Sequence, residues 1–254
     1  MFCVLNVEKK KLNLFEKLFK FLRQDDYIIK TVPVFKGAPF YVLQVYVCNN
    51  IDWEKIVECA GKCAKRLLFN SNLEIPQSKE IGEYKSTLLY NKAFQNTVLQ
   101  ILKNNKLNKN PHNIAVYDKS AKYTEFVEKL TPYASRLTVV TENKEKYIDL
   151  CDEILESTGL CISVLSDFDD AKIKIALDRN IMSIDLKNQF LNICDAENLV
   201  VDDMYKKLLP DGVDEQDFYS ALYELCGVFS LGDCIFETVC VNNEKKLTDS
   251  ITFS

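Results

Sequence analysis

From Asn113 onward, short apolar runs alternate with helix-length amphipathic stretches, and this rhythm restricts the fold more than any other feature of the chain. Alternating strands and helices predict a parallel sheet covered by helices. Residues 114–117 read as a first strand that ends at Asp118. Ser120 can cap a helix in which Tyr123, Phe126, Val127 and Leu130 recur at i, i+3, i+4 and i+7. Residues 137–140 form the next strand, and a helix with Tyr147, Leu150, Cys151 and Ile154 stops at Gly159. Residues 160–165, 173–177 and 181–186 supply further strands, with a turn through residues 167–170. Asp214 is placed to cap a helix bearing Phe218, Leu222, Leu225 and Cys226 that closes at Gly227. Residues 234–241 and 247–253 read as a hairpin.

The first 75 or so residues have a different order, β-α-β-β-α-β. Residues 2–7 are a short strand. Asn13 and Glu16 make a capping pair for a helix with Leu14, Phe15, Leu18, Phe19 and Leu22. Residues 28–35 and 41–48 read as strands joined through Gly37 and Pro39. Asp52 caps a helix whose stripe runs Trp53, Ile56, Val57, Ala60, Cys63, Ala64 and Leu67, and residues 72–75 form a last strand. That order predicts a ferredoxin-like α+β sandwich. Residues 76–86 are polar, hold a proline and a glycine, and read as the linker. A helix over about 88–104 follows. The expected class is thus α/β, an α+β domain over 1–80 and a mostly parallel α/β domain over 88–254.

Charge excludes several classes. The 32 Lys and Arg face 37 Asp and Glu, and only four of the cations are arginines, so the chain has no basic excess for nucleic-acid phosphates. No apolar run is long enough to span a membrane. Lysines 9–11 follow a short apolar stretch, the reverse of a signal peptide. The ten cysteines lie mostly in apolar strand-like or helical runs, without CxxC. Cys59 and Cys63 share a helix face, but no second ligand pair completes a metal site. Reduced cysteines acting as small hydrophobes predict an intracellular, cytoplasmic protein without bound metal.

Residues 113–186 resemble the Rossmann-type nicotinamide-cofactor-binding half of two-domain dehydrogenases. Asn113-Ile-Ala-Val-Tyr-Asp118 corresponds to that family's first strand and turn. Arg136-Leu-Thr-Val-Val-Thr-Glu-Asn143 resembles its second strand, whose end selects the adenosine ribose. Asp170-Ala-Lys-Ile-Lys-Ile-Ala-Leu-Asp178 is similar to the strand beneath the nicotinamide, and Ile181-Met-Ser-Ile-Asp-Leu186 resembles the next. The resemblance implies a cofactor crevice lined by Asp118, Ser120, Thr141, Glu142 and Asp178. The departure from the family lies in the first turn. There G-x-G-x-x-G lets backbone N–H groups approach a pyrophosphate. Here the turn reads Tyr117-Asp118-Lys119-Ser120-Ala121-Lys122-Tyr123, without glycine and with a carboxylate where the pyrophosphate would rest.

No residue set supports catalysis. His112 is the only histidine and has no visible orienting partner, and no G-x-S-x-G occurs. Asp167, Asp178 and Asp185 end strands as Asp118 does and could face a hard metal, but strand-end acids commonly start turns. The acidic stretch 195–217 lacks calcium-loop spacing and reads as solvated loop. The chain is therefore expected to be a non-catalytic binding or assembly module without a cofactor. Its partner would be a protein or small molecule, with no nucleic acid and no membrane. The rival expectation is an NAD(P)- or nucleotide-dependent oxidoreductase with an atypical loop.

Overall fold

The fold is described from a computed structural model, over residues 1–11, 24–69, 73–76, 78–104, 111–165, 173–178, 181–186, 190–192 and 199–237. Helices and strands mix in the α/β manner and divide into two compact units. Unit 1 comprises residues 1–90 and 201–232, and unit 2 comprises 91–200 and 233–254. A contiguous division into 1–80 and 88–254 therefore does not hold, because 201–232 packs with the N-terminal sheet.

In unit 1, strands β1 (Cys3–Lys9), β2 (Asp26–Val32), β3 (Phe40–Val47) and β4 (Leu67–Phe69) form one sheet in the order β2-β3-β1-β4. β1 runs parallel to both β3 and β4, and β2 is antiparallel to β3. The sheet is mixed, whereas a ferredoxin-like sandwich would pair every neighbour antiparallel. The chain starts β2 at the end of the sheet where β1 finishes: the Lys10 N–H donates to Val47 O at 2.9 Å, and the Cys48 N–H donates to the Asp25 carboxylate at 2.7 Å. β2 therefore points opposite to β1. The helix expected at 13–22 lies outside the described residues.

Among the described residues, two helices cover the faces of this sheet. Trp53–Ala60 begins at Asp52, whose carboxylate accepts the Lys55 N–H at 3.1 Å, as the sequence predicts. Gly61, at φ 54°, ends it, so Cys63 and Ala64 continue in a 3-10 turn and Leu67 already belongs to β4. The last described strand of this sheet is thus Leu67–Phe69; of the expected strand 72–75, the described residues 73–75 are not in a strand. Cys3, Leu5, Leu43, Val45, Val47, Ile56, Ala60 and Leu67 share the core on that side.

The opposite face is covered by Glu215–Cys226, capped by Asp214 and closed by left-handed Gly227, both as predicted. Phe2 and Phe40 stack at 4.9 Å between centroids, and Phe218 meets both edge-on at 6.0 and 5.6 Å. These three fully buried rings are the reason a segment so late in the chain belongs to the first unit. A short helix, Asp203–Lys206, capped by Asp202, interrupts what the sequence presents as solvated acidic loop.

The expected linker is also tied down. Gly82 N–H donates to Ala64 O, Leu67 N–H to Gly82 O and Tyr84 N–H to Leu67 O, while Glu83 bridges Leu67 in parallel. A Cβ on Gly82 would stand 2.8 Å from Lys65 O, so the close approach itself requires glycine. The unit boundary instead falls in the first turn of helix Leu88–Asn104.

In unit 2, β5 (His112–Tyr117), β6 (Ala134–Val140), β7 (Ile162–Leu165), β8 (Ile173–Asp178), β9 (Ile181–Leu186) and β10 (Phe190–Asn192) lie in the order β10-β9-β8-β5-β6-β7. β7, β6, β5 and β8 are parallel neighbours; β9 is antiparallel to β8, and β10 to β9. Ile114, Ala115, Val116 and Tyr117 are buried in succession, as are Leu137, Thr138, Val139 and Val140. Unbroken burial of that kind marks central strands covered on both faces. The direction of β9 corrects its likeness to the next parallel strand of a dehydrogenase. Only residues 179 and 180 separate it from β8, and a parallel return needs a crossover of a dozen or more. Helix Ile148–Thr158 closes at Gly159, φ 73°, as predicted. The turn at 167–170 lies outside the described residues. So does most of the expected C-terminal hairpin; Phe236 within it bridges Leu199.

Candidate functional site

The carboxyl edge of β5 and β6 brings four of the five predicted crevice residues onto neighbouring turns, since Tyr117 is level with Val140. Asp118 N–H extends the ladder by donating to Val140 O at 3.0 Å. Its side chain is 2% exposed and folds back over its own turn. One carboxylate oxygen accepts the Lys122 N–H at 3.1 Å. The other accepts the Tyr123 N–H at 2.8 Å and the Tyr147 hydroxyl at 2.8 Å. A buried carboxylate with three donors is well satisfied, and those donors are no longer offered outward. Burial and the facing Asp118 charge push the Tyr147 phenol well above its usual pKa, so it stays a proton donor to Asp118.

Ser120 does not cap a helix. It is exposed in the turn, and helix Thr124–Lys129 starts at Tyr123 without a side-chain cap. Asp118 takes two N–H groups that a capping serine would compete for. Ala121 follows at φ 51°, the left-handed region where glycine is usual and an alanine is strained by roughly 1 kcal/mol.

The second turn is laced to the first. Thr141 Oγ1 donates to Lys119 O at 3.2 Å and accepts the Asn143 N–H at 3.1 Å, and the Glu142 N–H also donates to Lys119 O. Lys119 Nζ lies 3.3 Å from the Glu142 carboxylate on the exposed rim. Asp178 is the last residue of β8; β5 register sets it one residue beyond the level of Asp118. Sequence reasoning missed Tyr147, which it placed in an apolar stripe. A fully buried tyrosine requires a partner for its hydroxyl, and the only acid ending the first strand is the partner it finds.

The remaining candidates scatter. His112 opens β5 at its other end. Cys59 and Cys63 adjoin no third ligand; among the described residues no group of three His, Cys, Asp or Glu could hold a metal. The eight described cysteines are free thiols. Burial pushes Cys3 up to about 12 and Cys226 and Cys234 up to about 11, which keeps them protonated and unreactive. Cys161 is exposed at the start of the edge strand β7, which corrects its place among the packed thiols. No described helix is long and apolar enough to cross a membrane.

Unit 1 carries a separate polar cluster. Ser86 N–H donates to Asp217 at 3.3 Å, Ser86 Oγ donates to Glu224, and Leu88 N–H donates to Ser86 Oγ. Partial burial, with Asp214 and Glu83 nearby, raises Asp217 from 3.8 to about 6, against the Ser86 N–H and Lys85. The folded carboxyl therefore holds its proton to higher pH than the unfolded one. Its contribution to stability is full below about pH 4 and is lost as pH rises toward 6. Solvent screening of a half-exposed group reduces this to about 1 kcal/mol. Melts followed by Trp53, the single tryptophan, should show that decline from pH 4 to 6. D217N, whose amide does not titrate, should lack that component.

No family model, curated protein or solved structure matches this chain.

Proposed function

We propose that unit 2 is a Rossmann-like unit whose dinucleotide turn is filled by a side chain, and that the protein works as a non-catalytic binding or assembly module. The parallel order β7-β6-β5-β8 supports the first part, being the 3-2-1 order of a mononucleotide-binding half with the fourth strand beside the first. One observation carries the second. The Asp118 carboxylate occupies the Lys122 and Tyr123 N–H groups, the positions from which a glycine-rich turn would reach a pyrophosphate. A second anion there would meet a buried negative charge and find the Lys122 and Tyr123 N–H groups already taken. The six-residue helix beyond cannot offset this, because a helix end contributes only about 0.3–1 kcal/mol at an exposed position.

A thermal-shift screen against NAD, NADP, ATP, S-adenosylmethionine and divalent metals tests the reading. A ligand at a hundred times its dissociation constant adds about 2.7 kcal/mol. The expected result is no shift with any of them. A shift with NAD or NADP would favour an oxidoreductase with an unconventional loop.

A further inference from the structure

β2 is the outer strand of the unit 1 sheet, and among the described strands it pairs with β3 alone. Among the described residues, no strand pairs with its other edge, whose backbone N–H and C=O groups form a row able to accept a further strand. Ile28 and Ile29 point to opposite faces and are 44% and 51% exposed. Edge strands of proteins that act singly are usually blunted by proline, a bulge or unmatched charge. β2 runs seven residues without proline or glycine, and its ladder with β3 is regular from Asp26 to Val32. Its two charges, Asp26 and Lys30, flank Ile28 at equal distance on one face.

We propose that this edge pairs with the same edge of a second copy of the chain, antiparallel, about a twofold axis at Ile28. Only that centring uses the charges. Asp26 then stands opposite the second copy's Lys30, twice by symmetry, Ile28 opposite itself, and Tyr27 opposite Ile29 on the other face. Centring on Ile29 would set Asp26 against Val32 and Lys30 against Ile28. Centring on Lys30 would stack the two lysines. Lys10 Nζ already holds one Asp26 oxygen at 2.9 Å, while the carboxylate remains half exposed, so the second Lys30 would complete a three-charge chain. The two mixed sheets would become one eight-stranded sheet. The inference goes beyond the binding or assembly reading and is carried by unit 1 alone. Micromolar NAD binding would end that reading and leave the dimer untouched.

Sedimentation velocity over a concentration series, in reducing buffer, tests it on the full chain. The unmodified protein should show a monomer–dimer equilibrium. K30D should weaken the dimer by at least about tenfold, because like charges then face each other at both ends. The K10D/D26K/K30D triple, which reverses every charge of that three-charge chain, should restore it to within about threefold. In a second arm, mild oxidation should crosslink I28C into a dimer beyond the background of the unmodified chain, and I29C should not exceed it. A monomer at every concentration, a dimer that K30D leaves unchanged, or equal crosslinking by I29C would overturn the proposal.

Discussion

Asp118→Ala should destabilise unit 2 by about 3–5 kcal/mol, a large part of the stability of an ordinary domain. Asp118 satisfies three donors in a buried turn, and its removal strands the Lys122 and Tyr123 N–H groups together with the Tyr147 hydroxyl. Each unsatisfied buried group costs about 1–3 kcal/mol. Tyr147→Phe removes one of those bonds and leaves the carboxylate two donors, so it should cost about 1–2 kcal/mol. The two effects should not add, since the variants share a bond. Urea unfolding followed by far-ultraviolet circular dichroism measures both variants and their combination. A loss below 1 kcal/mol for Asp118→Ala would mean that the carboxylate is solvated and the turn open.

Phe218→Ala should have a comparable effect in the other unit, about 3–5 kcal/mol. Phe218 is fully buried and is the ring by which helix Glu215–Cys226 meets Phe2 and Phe40. Trp53 reports on the same sheet from its opposite face, although Phe218 lies far along the chain. The Trp53-detected midpoint should therefore fall sharply in Phe218→Ala and much less in Asp118→Ala. An unmoved Trp53 transition in Phe218→Ala would detach residues 201–232 from unit 1.

Local signals were legible where the chemistry is local. The caps at Asp52 and Asp214, the stops at Gly159 and Gly227, and helix Leu88–Asn104 all follow from short-range patterns. Long-range pairing was not. Nothing near Phe218 announces that it will sit on Phe2, and apolar spacing alone cannot state whether β2 runs with or against β1. The direction of β9 was misread by likeness to a parallel strand, although the two residues between it and β8 permit only a hairpin. At the site, the missing glycines drew attention to the turn after β5, and Asp118 was singled out within it. Its role was not foreseen. A carboxylate considered only as a repulsive charge supplies the acceptors for N–H groups that, in a glycine-rich turn, would donate to a bound phosphate.

Isothermal titration of NAD and NADP into the unmodified protein and Asp118→Gly tests most directly whether the turn after β5 is closed to a dinucleotide. No saturable binding is expected below roughly millimolar, where association is worth only about 4 kcal/mol. Asp118→Gly should gain little, because one glycine frees two N–H groups without rebuilding the loop. Micromolar affinity in the unmodified protein would contradict the account, since it would require the buried Asp118 carboxylate to yield its place to a pyrophosphate.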